Sequence, residues 1–346
     1  MTLPVHVAPM MKVTTAPFRH LCRLLNPDAV LYTEMIGARA LVEADSAGRA
    51  RLLRRTPDDD PVVVQLGGSD PDLLCRAAQH CQETGRFPEI NLNLGCPSVA
   101  VQSGRFGAAM MLDDNVADTV KTVASCVDVP ISIKCRIGVD QFDSYDFIHS
   151  FVDRVHSRAR VQRFVVHART ALLNRTPKDN RSIPPLRYDV VHRLKRDFPD
   201  LQIVINGGLH LTDDHVIAHA NANMDGVMIG RSVRDDPYQL RRWRRTSNQH
   251  ASDDVEGRVR VVLDYVEFVD MELKSSATRR GGIVPLIMPL LNLFSGTVGS
   301  GTWKRALSAT RSAVPVPDRI RRALDELERA RQGHRERERS MAFLEQ

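Results

Sequence analysis

No two of the six cysteines in this 346-residue chain stand in C-x-x-C spacing, which excludes the ligand pattern of a zinc ribbon and offers no disulfide framework. Cys22, Cys75, Cys81, Cys96, Cys126 and Cys135 are scattered. Reduced thiols in a cytoplasmic chain without a metal are therefore the expectation. Long apolar runs are lacking too. The most apolar stretch, GIVPLIMPLLNLF at 282–294, carries two prolines and is too short to cross a bilayer, so no membrane partner is expected. The opening MTLPVHVAPMM shows no basic segment followed by an apolar one, the mark of a secretory leader. No G-x-G-x-x-G follows the first candidate strand, which weighs against an open, doubly wound dinucleotide fold.

What remains is the composition of an ordinary folded protein, 42% hydrophobic and 26% charged. The formal net charge is +6, carried mostly by arginine and concentrated after about residue 150, a balance that favours polyanionic partners. Eight short runs rich in β-branched and apolar residues recur, each closed by a polar or glycine-bearing turn. They are VHVAPM (5–10), AVLYTEM (29–35), PVVVQLGG (61–68), EINLNLG (89–95), ISIKCRIG (131–138), RFVVHAR (163–169), LQIVINGG (201–208) and DGVMIGR (225–231). Segments of helical composition at 72–85, 116–127 and 188–198 lie between them. Alternation of this kind predicts an α/β fold, a (β/α)8 TIM barrel over residues 1–245.

After Trp243 the pattern changes. TSNQHASDDVEG (246–257) reads as a linker, and 258–273 places Val259, Val262, Val266 and Val269 on one helical face. A second helix is expected over 316–332, with Asp318 as its N-cap, so residues 246–346 form a small helical domain.

In a TIM barrel the site lies at the C-terminal ends of the strands, which makes each polar residue there a candidate. They are Pro9, Met10, Met11, Glu34, Gln65, Asn93, Cys96, Lys134, Arg136, His167, Arg169, Asn206, Gly207, Gly208, Gly230 and Arg231. The glycine turns after strands seven and eight suit a phosphate gripped by backbone N–H groups, or are simply tight turns. Lys134 sits in an apolar strand, where a cation needs a partner. It either faces an anionic ligand edge, such as that of a reduced flavin, or is satisfied internally, and the same two readings hold for His167. Gln65 is a ligand amide or a bridge between strands. Cys96 is set between Gly95 and Pro97 in a turn that can present its sulfur to the barrel mouth. A thiol still protonated at neutral pH can act there as a general acid.

Several stretches in collinear order resemble a known family. APMM (8–11), LYTEM (31–35), VVVQLGGSDP (62–71), NLNLGCPSVAVQSGRFGAAMM (91–111), HARTALLNRTPKDNRSIPPL (167–186) and INGG (205–208) are similar to the tRNA-dihydrouridine synthases of the bacterial A-type subfamily. LLNLFSGTVGSGTWKRAL (290–307) resembles that subfamily's C-terminal signature more loosely. The resemblance implies an FMN-dependent TIM barrel followed by a helical tRNA-binding domain. Such an enzyme reduces uridine to 5,6-dihydrouridine in the D-loop of tRNA, at U20 and U20a, with NADPH as electron donor.

By motif match the resemblance assigns FMN to Pro9, Met10, Met11, Gln65, Lys134 and His167, and its phosphate to Asn206, Gly207, Gly208, Gly230 and Arg231. Hydride then reaches uracil C6 from reduced FMN while Cys96 gives a proton to C5. Asn93 and Arg181 would hold the uracil, and Lys178, Arg181, Lys304 and Arg305 would contact the tRNA. Three departures from the pattern stand out. Lys12 replaces an acidic residue after the first motif, Val99 and Ala100 replace an Asp-Arg pair, and Val298, Gly299, Ser300 and Gly301 replace Pro-Gly-Ala-Arg. Two rival expectations are a flavin-dependent dehydrogenase of a free pyrimidine and a non-catalytic tRNA-binding folding factor.

Overall fold

The computed structural model describes residues 3–56, 59–98, 104, 106–176, 178–211, 219, 222–244, 254–274, 283–308 and 314–344. Eight parallel strands close into a barrel in chain order, as the alternating pattern predicts. They are β1 (Val5–Val7), β2 (Val30–Gly37), β3 (Val62–Gly67), β4 (Ile90–Leu94), β5 (Ile131–Arg136), β6 (Arg163–His167), β7 (Gln202–Asn206) and β8 (Gly226–Ile229). β8 returns to β1 with Val5 opposite Val227 and Val7 opposite Ile229, so no sheet edge is left to cap. Residues from six of the strands or their ends, Ala8, Tyr32, Val63, Val165, Val204 and Met228, pack as one buried apolar cluster inside the barrel.

Local chemistry starts the helices where the chain must turn back. Asp70 accepts from the amides of Asp72 and Leu73, both at 3.0 Å, and Pro71 supplies the first turn of Pro71–Glu83. Ser144 accepts from the amide of Phe147 at 3.2 Å at the start of Tyr145–Ala159. The expected helices at 116–127 and 188–198 run over Val116–Ser125 and Tyr188–Asp197.

The cysteine expectation needs correcting. Cys75 and Cys126 form a disulfide between the helices Pro71–Glu83 and Val116–Ser125, across a separation of 51 residues. No spacing rule reaches a pair brought together only by neighbouring barrel helices. Cys22, Cys81, Cys96 and Cys135 are free thiols, and only Cys96 among them is not buried.

The chain divides into two units: Met1–Ala16 with Asp28–Gly230, and Pro17–Pro27 with Arg231–Gln346. In the second unit the helix Val255–Lys274 buries Val262, Val266 and Val269, the predicted stripe, while Val259 is half-buried. His20 stacks on Phe268 of that helix with ring centroids 4.0 Å apart and planes at 19°. Trp303 is fully buried, donates its indole N–H to the carbonyl of Leu290 at 2.8 Å and meets the Phe294 ring edge-on. Gly299 has φ 88°, and a Cβ there would lie 2.7 Å from Leu327 Cδ1. The last helix runs Val316–Leu344, so Asp318 lies inside its first turn and is not its N-cap. Residues 246–253 of the expected linker, and the departures at Val99 and Ala100, lie outside the described residues. No described helix is long and apolar enough to cross a membrane.

Candidate active site at the barrel mouth

The alternation INLNL in β4 turns Asn91 and Asn93 to the side opposite Ile90, Leu92 and Leu94. Three residues beyond Asn93 comes Cys96. Asn93 Oδ1 accepts the amides of Cys96 at 3.0 Å and Gly95 at 3.2 Å, so one side chain ties the cysteine turn to the strand that precedes it. The Cys96 carbonyl accepts from Ala108 N at 3.0 Å, and its thiol donates to Ser98 Oγ at 3.4 Å. The thiol is half-exposed on a turn held from both sides.

Asn93 Nδ2 donates to Gln65 Oε1 at 2.9 Å, and Gln65 Nε2 donates to Asn91 Oδ1 at 2.7 Å. Gln65 is thus the strand bridge that one sequence reading allowed. One Nε2 hydrogen and one Asn93 Nδ2 hydrogen remain beyond these bonds.

Lys134 Nζ donates to Asn206 Oδ1 at 3.1 Å, and Asn206 Nδ2 donates to the carbonyl of Met228 at 2.7 Å. The Lys134 amine is lowered to about 8, first by burial and then by the positive charge of Arg136. His167 ends β6 opposite both Arg136 and Asn206 in the ladder. Arg136 fastens the mouth: its Nε donates to Gly95 O at 3.2 Å, and its Nη1 to the carbonyls of Thr170 at 3.3 Å and Asn180 at 3.2 Å.

The glycine turns have the form a phosphate needs. Gly207 and Gly208 have φ of 119° and 67°. Neither their amides nor that of Gly230 donate a hydrogen bond to another described residue. Tyr188 OH donates to the Gly207 carbonyl at 2.5 Å and fixes that turn. Met10 sits beside Gly230, where a Cβ would come 3.5 Å from Met10 Sδ. A lysine with donor capacity beyond one amide, a glutamine with a spare N–H and three uncommitted glycine amides fit a flavin mononucleotide: cation to the pyrimidine edge, amides to the phosphate.

The remaining predicted residues fall in different places. Pro9 is half-buried, and Met11 is 59% exposed next to Lys12, whose φ is 61° and whose amide donates to Glu34. Only the backbone of Lys12 is used in that bond, which is why the loss of an acidic side chain there leaves the turn intact. Lys178 and Arg181 are exposed on either side of Asn180. That buried side chain accepts Leu172 N at 2.7 Å and donates to the carbonyls of Leu172, Arg175 and Thr176, pinning the loop that carries them. Arg231 opens the second unit, and Lys304 and Arg305 are exposed on its helix Ser300–Ser308. Among the described residues no cluster of His, Cys, Asp and Glu could hold a metal.

Sequence reasoning read polar residues at strand ends and so passed over Asn91, Ser132 and Asn180. The first two carried a signal, since each is a polar residue at alternate spacing inside a strand.

Comparison with known proteins shows the family. The profile of the dihydrouridine synthase (Dus) family matches residues 6–328. A tRNA-dihydrouridine(20/20a) synthase of Synechocystis sp. is 41% identical over 324 residues, 93% of each chain. The protein of that name from Xanthomonas axonopodis pv. citri is 43% identical over 309 residues, 89% of this chain and 88% of the relative. The one from Escherichia coli O6:H1 is 40% identical over 304 residues, 87% and 88% of the two chains.

Proposed function

The chain belongs to the dihydrouridine synthase family, whose members depend on a flavin, and from that premise we propose that it reduces uridine to 5,6-dihydrouridine in the D-loop of tRNA. The positions are 20 and 20a, the electron donor is NADPH, and the enzyme works in the cytoplasm with its tRNA. The observation that carries the reading is a half-exposed thiol, Cys96, on a turn tied down by Asn93, in a mouth whose half-buried cation Lys134 is held by Asn206.

Lys134, Gln65, His167, Pro9, Met10 and Met11 hold the isoalloxazine. Asn206, Gly207, Gly208, Gly230 and Arg231 hold the phosphate. Bound there, FMN supplies the hydride that adds to uracil C6. Cys96 gives its proton to C5, and the resulting thiolate lies near two cations, Lys134 and Arg136, whose charge interacts with it. The spare Asn93 N–H and Arg181 orient the carbonyl edge of the uracil. Lys178 and Arg181 on the pinned loop, with Lys304 and Arg305 on the helical unit, contact tRNA phosphates, which position a substrate without reading its bases. Freeing the base from the folded tRNA is a cost those contacts offset.

The test is incubation of FMN-loaded protein with NADPH and unmodified tRNA transcript, followed by mass spectrometry of nuclease fragments. Dihydrouridine at 20 or 20a is the expected product. Reduction of free uracil with none of tRNA would replace this reading by the free-pyrimidine one, and a protein that binds tRNA yet holds no flavin would replace it by the folding factor.

A further inference from the structure

The hydrogen bonds of Asn93 and Gln65 do not stop at Asn91. Asn91 Nδ2 donates to Ser132 Oγ at 2.8 Å, and Ser132 Oγ donates to Glu89 Oε1 at 2.5 Å. Arg163 Nη1 donates to the other oxygen, Glu89 Oε2, while Arg163 Nε donates to Gln202 Oε1 at 2.7 Å. A continuous line of side chains therefore runs from Arg163, at the start of β6, up through the barrel to the backbone of Cys96.

From Cys96 to Glu89 every bond points the same way, and Arg163 donates to the same carboxylate from its other side. A carboxylate has no proton to give, so Ser132 must donate to Glu89 and can only accept from Asn91. That turns the Asn91 oxygen towards Gln65, the Gln65 oxygen towards Asn93, and the Asn93 oxygen towards the Gly95 and Cys96 amides. Backbone N–H groups cannot reverse either. A fixed acceptor at one end and two fixed donors at the other leave three flippable amides one arrangement each. Glu89, Asn91, Ser132 and Gln65 are all buried, where a mispaired polar group is costly. Burial raises the Glu89 carboxyl, and Arg163 and the Ser132 hydroxyl oppose that rise.

We propose that Glu89, Ser132 and Asn91 are positioning residues: through this one-way line they set which face of the Gln65 amide meets the cofactor and hold the Cys96 turn in place. The proposal rests on the reading of Cys96 as proton donor, and its first readout does not depend on that reading. In FMN-free protein, iodoacetamide labelling of Cys96 is followed by peptide mass spectrometry. Ser132→Ala removes the link between Asn91 and the carboxylate and speeds Cys96 labelling about threefold to tenfold, the worth of one hydrogen bond, while Ser132→Thr keeps the hydroxyl and labels like wild type. In FMN-loaded protein, Ser132→Ala slows single-turnover reoxidation by tRNA to a similar extent, with KM for tRNA and FMN content unchanged; Tm falls, because two buried polar groups lose their partner, and Ser132→Thr restores both Tm and rate.

Wild-type labelling and wild-type reoxidation in Ser132→Ala overturn the proposal. So does a slower rate that appears only with lost FMN, or that Ser132→Thr does not restore. If Ser132→Ala fails to fold, Glu89→Gln decides, because a neutral amide permits both directions of the line: faster labelling is expected, and an unchanged rate counts against the idea. Failure of wild-type protein to reduce tRNA would sink the functional reading and still leave the labelling rates to judge the positioning role.

Discussion

The barrel interior has two unlike walls. Ala8, Tyr32, Val63, Val165, Val204 and Met228 form an apolar cluster to which β4 and β5 contribute nothing. Those two strands instead supply Asn91, Asn93, Ser132 and Lys134, bonded to Gln65 at one side and to Glu89 and Asn206 at the others. The apolar wall contributes area removed from water, which any well-shaped aliphatic residue can supply. The polar wall supplies direction, which only particular donors and acceptors can supply. Stability and orientation are therefore carried by different side chains of one closed sheet, since β3 and β7 give Val63 and Val204 to the apolar wall and Gln65 and Asn206 to the polar one.

Substitutions can break or sharpen that contrast. The largest effect belongs at the end of the polar wall: Cys96→Ala lowers dihydrouridine formation about 10²-fold to 10⁴-fold, the usual contribution of a positioned acid, with FMN retained. Quenched-flow product analysis checks it, and a loss of less than fivefold would move the donor role elsewhere. On the apolar wall, Val165→Ala lowers stability by about 1–3 kcal/mol, read as a shift in the urea midpoint, without changing turnover per folded enzyme. Turnover falling in step with stability would erase the distinction between the walls.

Lys134 sharpens it by pH. Its amine titrates near 8 because burial disfavours the charge, so the ammonium is present below that pH and lost above it. FMN affinity of the apoprotein, read by flavin fluorescence, should fall as pH rises through about 8, and Lys134→Arg should remove that fall. A flat wild-type profile would show that the amine does not face the cofactor. The smallest effects belong to surface charges outside both walls. Lys304→Ala or Arg305→Ala weakens tRNA binding uniformly across sequences and reduces the slope of log affinity against log salt by about one each. An unchanged slope takes that residue out of the tRNA interface.

Much of the barrel was legible in the sequence because its strands are β-branched runs closed by turns, and the strand ends named most of the mouth. The apolar wall was legible as composition, and the polar wall only in part. Asn93, Gln65 and Lys134 stood out at strand ends, whereas Asn91 and Ser132 sit deeper, where their meaning comes from partners on other strands. Glu89 and Arg163 lie 74 residues apart, and Cys75 and Cys126 lie 51 apart. Such pairings follow from closure of the sheet and neighbouring of helices, and no local pattern encodes them. Asp318 shows a smaller gap, since Val316 and Pro317 begin the last helix before the residue that looked like its cap.

The stretch Pro17–Pro27, lying between β1 and β2, clusters with the unit that otherwise starts at Arg231, and its His20 stacks on Phe268 there. The helical unit is thus not a module appended to a finished barrel. A chimera that exchanged only the C-terminal part with a relative would pair a foreign helix with the native His20. Inheritance of that unit must pass through two separate segments of the gene at once. Recombination at a single crossover is poorly suited to exchange it, so its surface is expected to evolve by substitution in place.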